Sequence, residues 1–433
     1  MNIKYTICLL TAIGLVACSG NDDAWNSNAP NEQEFTKEQM MSDVPIEFAP
    51  VEMADMQWGV EAVETRGGSV DDLDFTVDNV GIFCLAKKKL ADGPMNPVWN
   101  GANKTYKAYH VWEDNVQVSI KAMEGNKGII SWDKDEPFRL HYYPSQAWYT
   151  YGFMAYYPWT NCLVRENKSI KAFFKVDGND DVLYAMTTGP ENTFGIDAVD
   201  TLAFSKQYYD EIRTRGLSFE GTYPKLEFRR LMSRLDFYFC LNSAPSENIH
   251  VDKVEFNNFP SVMEVPLASV NNTTGVMSNN ISATPYVLNQ SNLNKIKINS
   301  TDLLVDAYPE MSPCFDHFEL CEKGETPISG IKVGSDYKYN LTTEIKKVGD
   351  CILIPPVAKS HSKANISLVI TLCDDNGNKW KNKTAILLTC PETGWMMGKR
   401  YDVHITLNAP SVAAAPRRVA SAFTASKVEV IPQ

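Results

Sequence analysis

From Val44 onward, short runs of apolar, β-branched and aromatic residues recur between turn residues. The runs at 79–86, 117–123, 150–157, 182–186, 225–228, 234–242 and 250–256 read as strands, as do those at 337–342, 350–354, 366–373, 384–389 and 401–407. Their composition suits a pleated, half-buried surface. Asp375-Asn376-Gly377-Asn378, lying between two such runs, is a hairpin signal. Asp92-Gly93-Pro94 and Asp177-Gly178-Asn179 punctuate others. The run at 44–51 alternates only partly and contains Pro45 and Pro50, which predicts an edge strand. A helical period shows only at 205–212 and around Ile328. Many short strands with regular turns predict an all-β chain built from antiparallel sandwiches.

The first residues break this pattern. Lys4 precedes an apolar run from Tyr5 to Val16, too short to span a bilayer as a permanent helix, so it reads as a signal peptide. The run ends in Leu15-Val16-Ala17-Cys18, which resembles the bacterial lipobox. That resemblance implies cleavage before Cys18 and acylation of its sulfur and new amino group, with palmitate-type chains anchoring the protein to an outer membrane. Each buried CH₂ contributes roughly 0.8 kcal/mol, so two or more chains hold a protein firmly without a spanning helix. Residues 18–43 are polar and acidic and read as a flexible tether. Asp22-Asp23 resembles a signal for the outer cell surface, although a plain linker explains it equally.

A length of 433 residues exceeds one core. The polar, turn-rich stretch at 214–222 is the best internal boundary. The predicted organisation is a signal peptide at 1–17, a tether at 18–43, an N-terminal β-sandwich at 44–222 and a C-terminal β-sandwich at 223–433. The formal net charge of −12 argues against nucleic acid and anionic lipid as partners. Of ten cysteines, eight remain once Cys8 leaves and Cys18 is acylated. Cys84, Cys240, Cys373 and Cys390 lie in apolar strand-like runs and read as buried thiols. Cys314 and Cys321 flank a short loop-like stretch and are the best disulfide pair.

Chemistry is sparse. The chain has no G-x-S-x-G, H-E-x-x-H, Walker loop or G-x-G-x-x-G, and no Cys/His set with zinc spacing. Its six histidines are scattered singly and read as structural. The acidic run 177–181 lacks the distal Glu of a calcium loop and reads as a solvated turn. The expectation is therefore no catalytic site, no metal and no cofactor. Residues 132–159 are dense in aromatics, including Trp132, Trp148, Tyr149, Tyr151, Phe153 and Trp159. Such a stretch serves either as sandwich core or as a face that stacks on sugars, and alternation through Tyr149, Tyr151 and Phe153 favours core. Asp200-Thr201-Leu202 resembles a short O-glycosylation acceptor.

Five phrases in order resemble the fimbrillin-like family, the subunits of lipoprotein-derived type V pili. Residues 151–158 (YGFMAYYP) are similar to its F-x-A-Y-Y-P strand, and 181–185 (DVLYA) to D-x-L-x-A. Residues 226–235 (LEFRRLMSRL) resemble L-x-F-x-H-x-x-S-R-L, with Arg230 where His is commoner. Residues 350–355 (DCILIP) resemble L-L-I-P, and 394–401 (GWMMGKRY) resemble W-x-x-G-x-x-Y. The resemblance implies two consecutive antiparallel β-sandwich domains with Greek-key, transthyretin-like topology. It implies a surface-exposed fimbrial subunit, polymerising with its own or other fimbrial subunits and adhering to a host glycan or protein. It also implies assembly by donor-strand exchange after an Arg- or Lys-specific protease removes the lipid-bearing segment. Arg66, followed by Gly67 and Gly68, is the candidate cleavage site, and an ordinary loop arginine is the alternative. The tail 419–431 is the candidate donor strand, presenting Val419, Phe423, Val428 and Val430 after an Ala413–Pro416 hinge. An ordinary last strand is its alternative. A surface lipoprotein that binds glycans through the 132–159 aromatics is the second reading of function.

Overall fold

Proline decides where the first strands stop. In the computed structural model, β1 (Met41–Pro45) ends on one proline and β2 (Val51–Met53) starts just after another. The intervening residues form no strand, because proline cannot donate to a ladder. The expected single edge strand at 44–51 is thus two strands, and β2 is not at an edge. The structure describes residues 36–53, 76–89, 95–97, 109–123, 127–133, 136, 139–146, 149–166, 169–175, 178, 180–187, 204–257, 262–269, 297–299, 330–333, 336–349, 351–361, 364–376, 384–408 and 424–433.

Residues up to Met41 form a unit of their own, described from Thr36. It carries a one-turn helix, α1 (Lys37–Met40), closed by a Thr36/Gln39 capping box. The second unit, 42–433, holds the remaining elements. Its strands continue as β3 (Val77–Lys89), β4 (Met95–Pro97), β5 (Val111–Met123), β6 (Lys127–Ser131), β7 (Tyr142–Pro144), β8 (Thr150–Tyr157) and β9 (Leu163–Glu166). Next come β10 (Ser169–Lys175), β11 (Leu183–Met186), helix α2 (Lys206–Thr214), β12 (Glu227–Arg230), β13 (Ser233–Leu241), β14 (His250–Asn257), β15 (Val262–Ser269) and β16 (Lys297–Asn299). The last are β17 (Gly330–Val333), β18 (Asp336–Asn340), β19 (Lys346–Lys347), β20 (Ile352–Ile354), β21 (Ile366–Cys373), β22 (Thr384–Leu388), β23 (Arg400–Leu407) and β24 (Ala425–Pro432). The chain is all-β apart from its two helices among the described residues. The expected helix at 205–212 is α2, capped by the Ser205 hydroxyl and buried through Tyr208, Tyr209 and Ile212. Ile328 lies outside the described residues.

The largest sheet has the order β4-β3-β5-β6-β2-β12-β11-β8, and β3 also pairs with β8. The sheet therefore closes on itself, and β2 fills the place between β6 and β12. Most ladders are antiparallel, but β2–β12 and β13–β23 are parallel. The stretch at 214–222 leads from α2 into β12, which pairs with β11 and β2 of the first-half sheet. Ladder β10–β15 likewise joins residues on either side of 222, in the sheet β16-β15-β10-β9. The other two large sheets are β19-β13-β23-β24, with β20 also on β13, and β17-β18-β14-β21-β22.

Two cores result. Tyr143, Tyr151, Phe153, Phe204 and Tyr209 pack ring against ring, at centroid distances of 5.5 to 6.5 Å. On the opposite face of β8, Met154 and Tyr156 join a long aliphatic cluster that runs through β13, β14, β21 and β23. Both faces of β8 are thus buried, not one. Burial pushes the Tyr143, Tyr151 and Tyr209 phenols well above their usual range, so they stay neutral hydrogen-bonding groups. Cys84, Cys162, Cys240, Cys351, Cys373 and Cys390 are buried free thiols, as expected of core cysteines. Cys314 and Cys321 lie outside the described residues.

The W-x-x-G-x-x-Y phrase is a latch. Trp395 is buried, donates from Nε1 to the Ala364 carbonyl at 2.7 Å, and packs edge-on against Tyr401. The Tyr401 hydroxyl accepts from Met396 N at 2.9 Å and donates to the Gly394 carbonyl at 3.1 Å. Gly398 N donates to the Met232 carbonyl, and Ser233 Oγ donates to the Met396 carbonyl. Gly394 has a φ of +81°, and a Cβ there would lie 2.6 Å from the Val357 carbonyl oxygen. Left-handed backbone alone costs a non-glycine residue about 1–2 kcal/mol. Gly394→Ala is accordingly expected to lower stability by at least that much in urea titration, with Gly216→Ala as a control for positive φ in open space.

Candidate functional site

The segment 42–53 is built into the body that follows it. Val44, Ile46 and Val51 are buried to 3% exposure or less. Phe48 packs against Trp132 at 5.6 Å and Phe153 at 5.0 Å, so it belongs to the aromatic core. Ile46 N donates to the His141 carbonyl at 2.7 Å, and its own carbonyl accepts from Trp132 Nε1 at 3.1 Å. Ala49 N and Glu52 N donate to the carbonyls of Pro224 and Leu226. In β2, Val51 and Glu52 face Gly128 and Lys127 across one edge, while Glu52 and Met53 face Glu227 and Phe228 across the other. Lys225 closes an ion pair with Glu52 at 2.8 Å. Burying an aliphatic or aromatic side chain contributes roughly 1.5–3 kcal/mol. Four such residues amount to a large part of the about 5–15 kcal/mol that typically holds a domain folded.

The other terminal strand is attached differently. β24 has one ladder partner, β23, with Val403 opposite Val430 and Ile405 opposite Val428. Ala425, Val428 and Val430 turn inward against the core, whereas Ser426, Lys427, Glu429, Ile431 and Pro432 are exposed. Its end is pinned by Gln433, whose backbone N donates to the Arg400 carbonyl and whose Nε2 donates to Asp402 Oδ2, both at 2.9 Å.

Arg400 belongs to a buried charge cluster on β13 and β23. The Asp236 carboxylate, fully buried, receives Arg234 Nε at 2.9 Å, Arg400 Nε at 3.0 Å and Lys347 Nζ at 2.7 Å. Burial alone would raise its pKa, but the Arg234 and Lys347 charges outweigh burial and hold it below the usual Asp value.

Of the residues singled out from the sequence, Val428 and Val430 are therefore inward positions of a strand that pairs within its own chain. Cys18, Arg66, Gly67, Val419 and Phe423 lie outside the described residues, as do the Ala413–Pro416 hinge and Asp200-Thr201-Leu202. Asp181 is not in a solvated turn. It is fully buried and paired with Arg230, itself buried. The flat sugar-stacking row is not formed by its described members. Tyr149 is 5% exposed with its hydroxyl on His110 Nε2 at 3.1 Å, and Trp159 donates its indole N–H to the Asn115 carbonyl. Trp148 lies outside the described residues. No group of three or more His, Cys, Asp or Glu side chains is placed to hold a metal among the described residues. The interior place of 42–53 was visible in the sequence only as a run preceding Arg66, since nothing local says that its neighbours come from β6 and β12.

No family model and no curated protein matches the chain. Among solved structures it is similar to a protein from Bacteroides uniformis provisionally assigned to cell adhesion, at 12% identity and a TM-score of 0.38, covering 90% of this chain and 97% of that one. It is also similar to a fimbrial protein from Bacteroides vulgatus, at 9% identity and TM-score 0.37, covering 81% and 91%. A third is the fimbrial anchor protein Mfa2 from Porphyromonas gingivalis, at 10% identity and TM-score 0.28, covering 88% and 97%. With identities and TM-scores this low, the strands and residues of this chain must carry the functional reading.

Proposed function

We propose that this chain is a structural and adhesive fimbrial subunit without catalytic activity, exported as a lipoprotein through Cys18 and assembled by donor-strand exchange. Its organisation is two consecutive sandwich domains dividing after β12 instead of at 222/223, because β12 completes the first sheet by pairing with β11 and β2. Cleavage after Arg66 removes β1 and β2 with the lipid-bearing tether. The observation that carries this reading is the interior position of β2. Losing it opens a slot between β6 and β12, lined by unpaired backbone and by the aromatic neighbours of Phe48. An open edge of this kind pairs with any extended segment offered to it. The tail is a suitable donor because β24 is held along one side only, with alternate residues Val428 and Val430 as its apolar anchors. Until cleavage the plug keeps the slot filled, so polymerisation waits for the protease.

Limited trypsin treatment of the purified precursor is expected to give a fragment beginning at Gly67, together with SDS-resistant ladders. Deleting 420–433 should abolish the ladders while leaving cleavage intact. Cleavage elsewhere, or cleavage without ladders, would rule out the exchange mechanism. Ladders that persist without the tail would rule out the tail as donor.

A further inference from the structure

A pocket of about 380 Å³ opens between β3, β5 and the segment leading from β6 to β7. It lies within the size range of small-molecule sites, about 300–1,000 Å³. Its rim carries two planar amides, Asn79 and Gln117, whose side chains bond to each other. It also carries the Asp133 carboxylate, with Arg139 at 3.6 Å. Asn79 sits at a bulge in β3 with a φ of +65°, which turns the strand aside there. The floor is built from rings. His141 stacks on Trp132 at 4.4 Å, nearly parallel, and Trp132 is fixed from behind by the Ile46 carbonyl. His141 is itself held by Glu113 through Nδ1 at 3.0 Å. Ser119 completes the wall, and its buried Oγ has no hydrogen-bond partner.

We propose that this pocket binds one neutral pyranose ring of a glycan. The lining sets two carboxylates, Asp78 and Asp133, against the one guanidinium of Arg139, which disfavours a free anion. Carboxylate, guanidinium and amide edges match the alternating donors and acceptors of vicinal hydroxyls. The half-buried His141 ring, backed by Trp132, suits the C–H face of a sugar. The unpartnered Ser119 hydroxyl is a group whose hydrogen-bonding demand a ligand hydroxyl would meet. The inference deepens the adhesive half of the reading above, and it places sugar recognition in this pocket rather than on the Tyr149 and Trp159 face.

The test is saturation-transfer NMR on the uncut chain with the methyl glycosides of glucose, galactose, mannose and N-acetylglucosamine. At least one should show transfer to its ring C–H protons. Gln117→Ala, an exposed position, should weaken it about tenfold or more, as expected where a site hydrogen-bonds a hydroxyl. Ser119→Ala should weaken binding while leaving the melting temperature unchanged or higher, since it removes an unpaired buried group. Absence of binding by all four glycosides overturns the proposal, as does binding unaffected by Gln117→Ala and Asp133→Asn. Competition by sulfate in place of sugar would make it an anion site and equally overturn it. Binding is read on the monomer, so sugar recognition without ladders sinks assembly alone, and ladders without recognition sink the pocket alone.

Discussion

Arg230→Met alone should lower the unfolding free energy by about 3–5 kcal/mol, because it removes the guanidinium that pairs with the buried Asp181 carboxylate. Asp181 has no exposed surface, and Arg230 only 2%. Asp181→Leu alone should be as harmful, since the guanidinium has no route to water. The double variant Asp181→Leu/Arg230→Met should recover most of the loss, because a packed apolar pair avoids desolvating both charges. Urea titration of the four proteins gives the coupling directly. A double variant as unstable as the sum of the singles would show that the two side chains act separately. The pair also explains a departure from the fimbrillin-like pattern. Arg230 stands where a histidine is commoner, and its partner Asp181 opens another of the resembling phrases. The two phrases meet in space, with Leu183 opposite Arg230 in the β11–β12 ladder.

Local pattern carried the strands whose ends are marked by turns. The runs at 150–157 and 366–373 are β8 and β21 residue for residue. It did not carry β10, where lysines flank Ala172, Phe173 and Phe174 and break the apolar run, nor β15 and its crossing ladder with β10. A pairing between residues about ninety positions apart leaves no mark on either strand. For the same reason the parallel β13–β23 ladder was unreadable, although both of its strands were plain in the sequence. The position of β2 is the most consequential case. Pro45 and Pro50 look like edge-strand residues, and they do end ladders, yet the three residues after Pro50 close the largest sheet. The pocket was less legible still. Its walls come from 78–79, 116–119, 132–133, Arg139 and His141, and the unsatisfied Ser119 hydroxyl is a property of the packed protein alone.

Asp236→Asn is expected to be the other severe change. The carboxylate is the shared partner of Arg234, Arg400 and Lys347, so an amide leaves three cations gathered around a neutral group. Removing one member of a buried charged set costs about 3–5 kcal/mol. The effect reaches the terminal strand, because Arg400 also holds Asp402, on which Gln433 rests. Amide exchange in β24 should therefore quicken more than in β8. The pH dependence provides an independent check. With its pKa depressed in the folded state, Asp236 contributes stability that is fully present above the unfolded value, about 3.9, and is lost as pH falls through the lower folded value. Asp375, depressed by its hydrogen bond from His250, adds a loss of the same sign in both proteins. The difference between wild type and Asp236→Asn should thus be constant above about pH 5 and shrink steadily below pH 4. A difference independent of pH down to acid unfolding would mean that the carboxylate is not held ionised by its three cations.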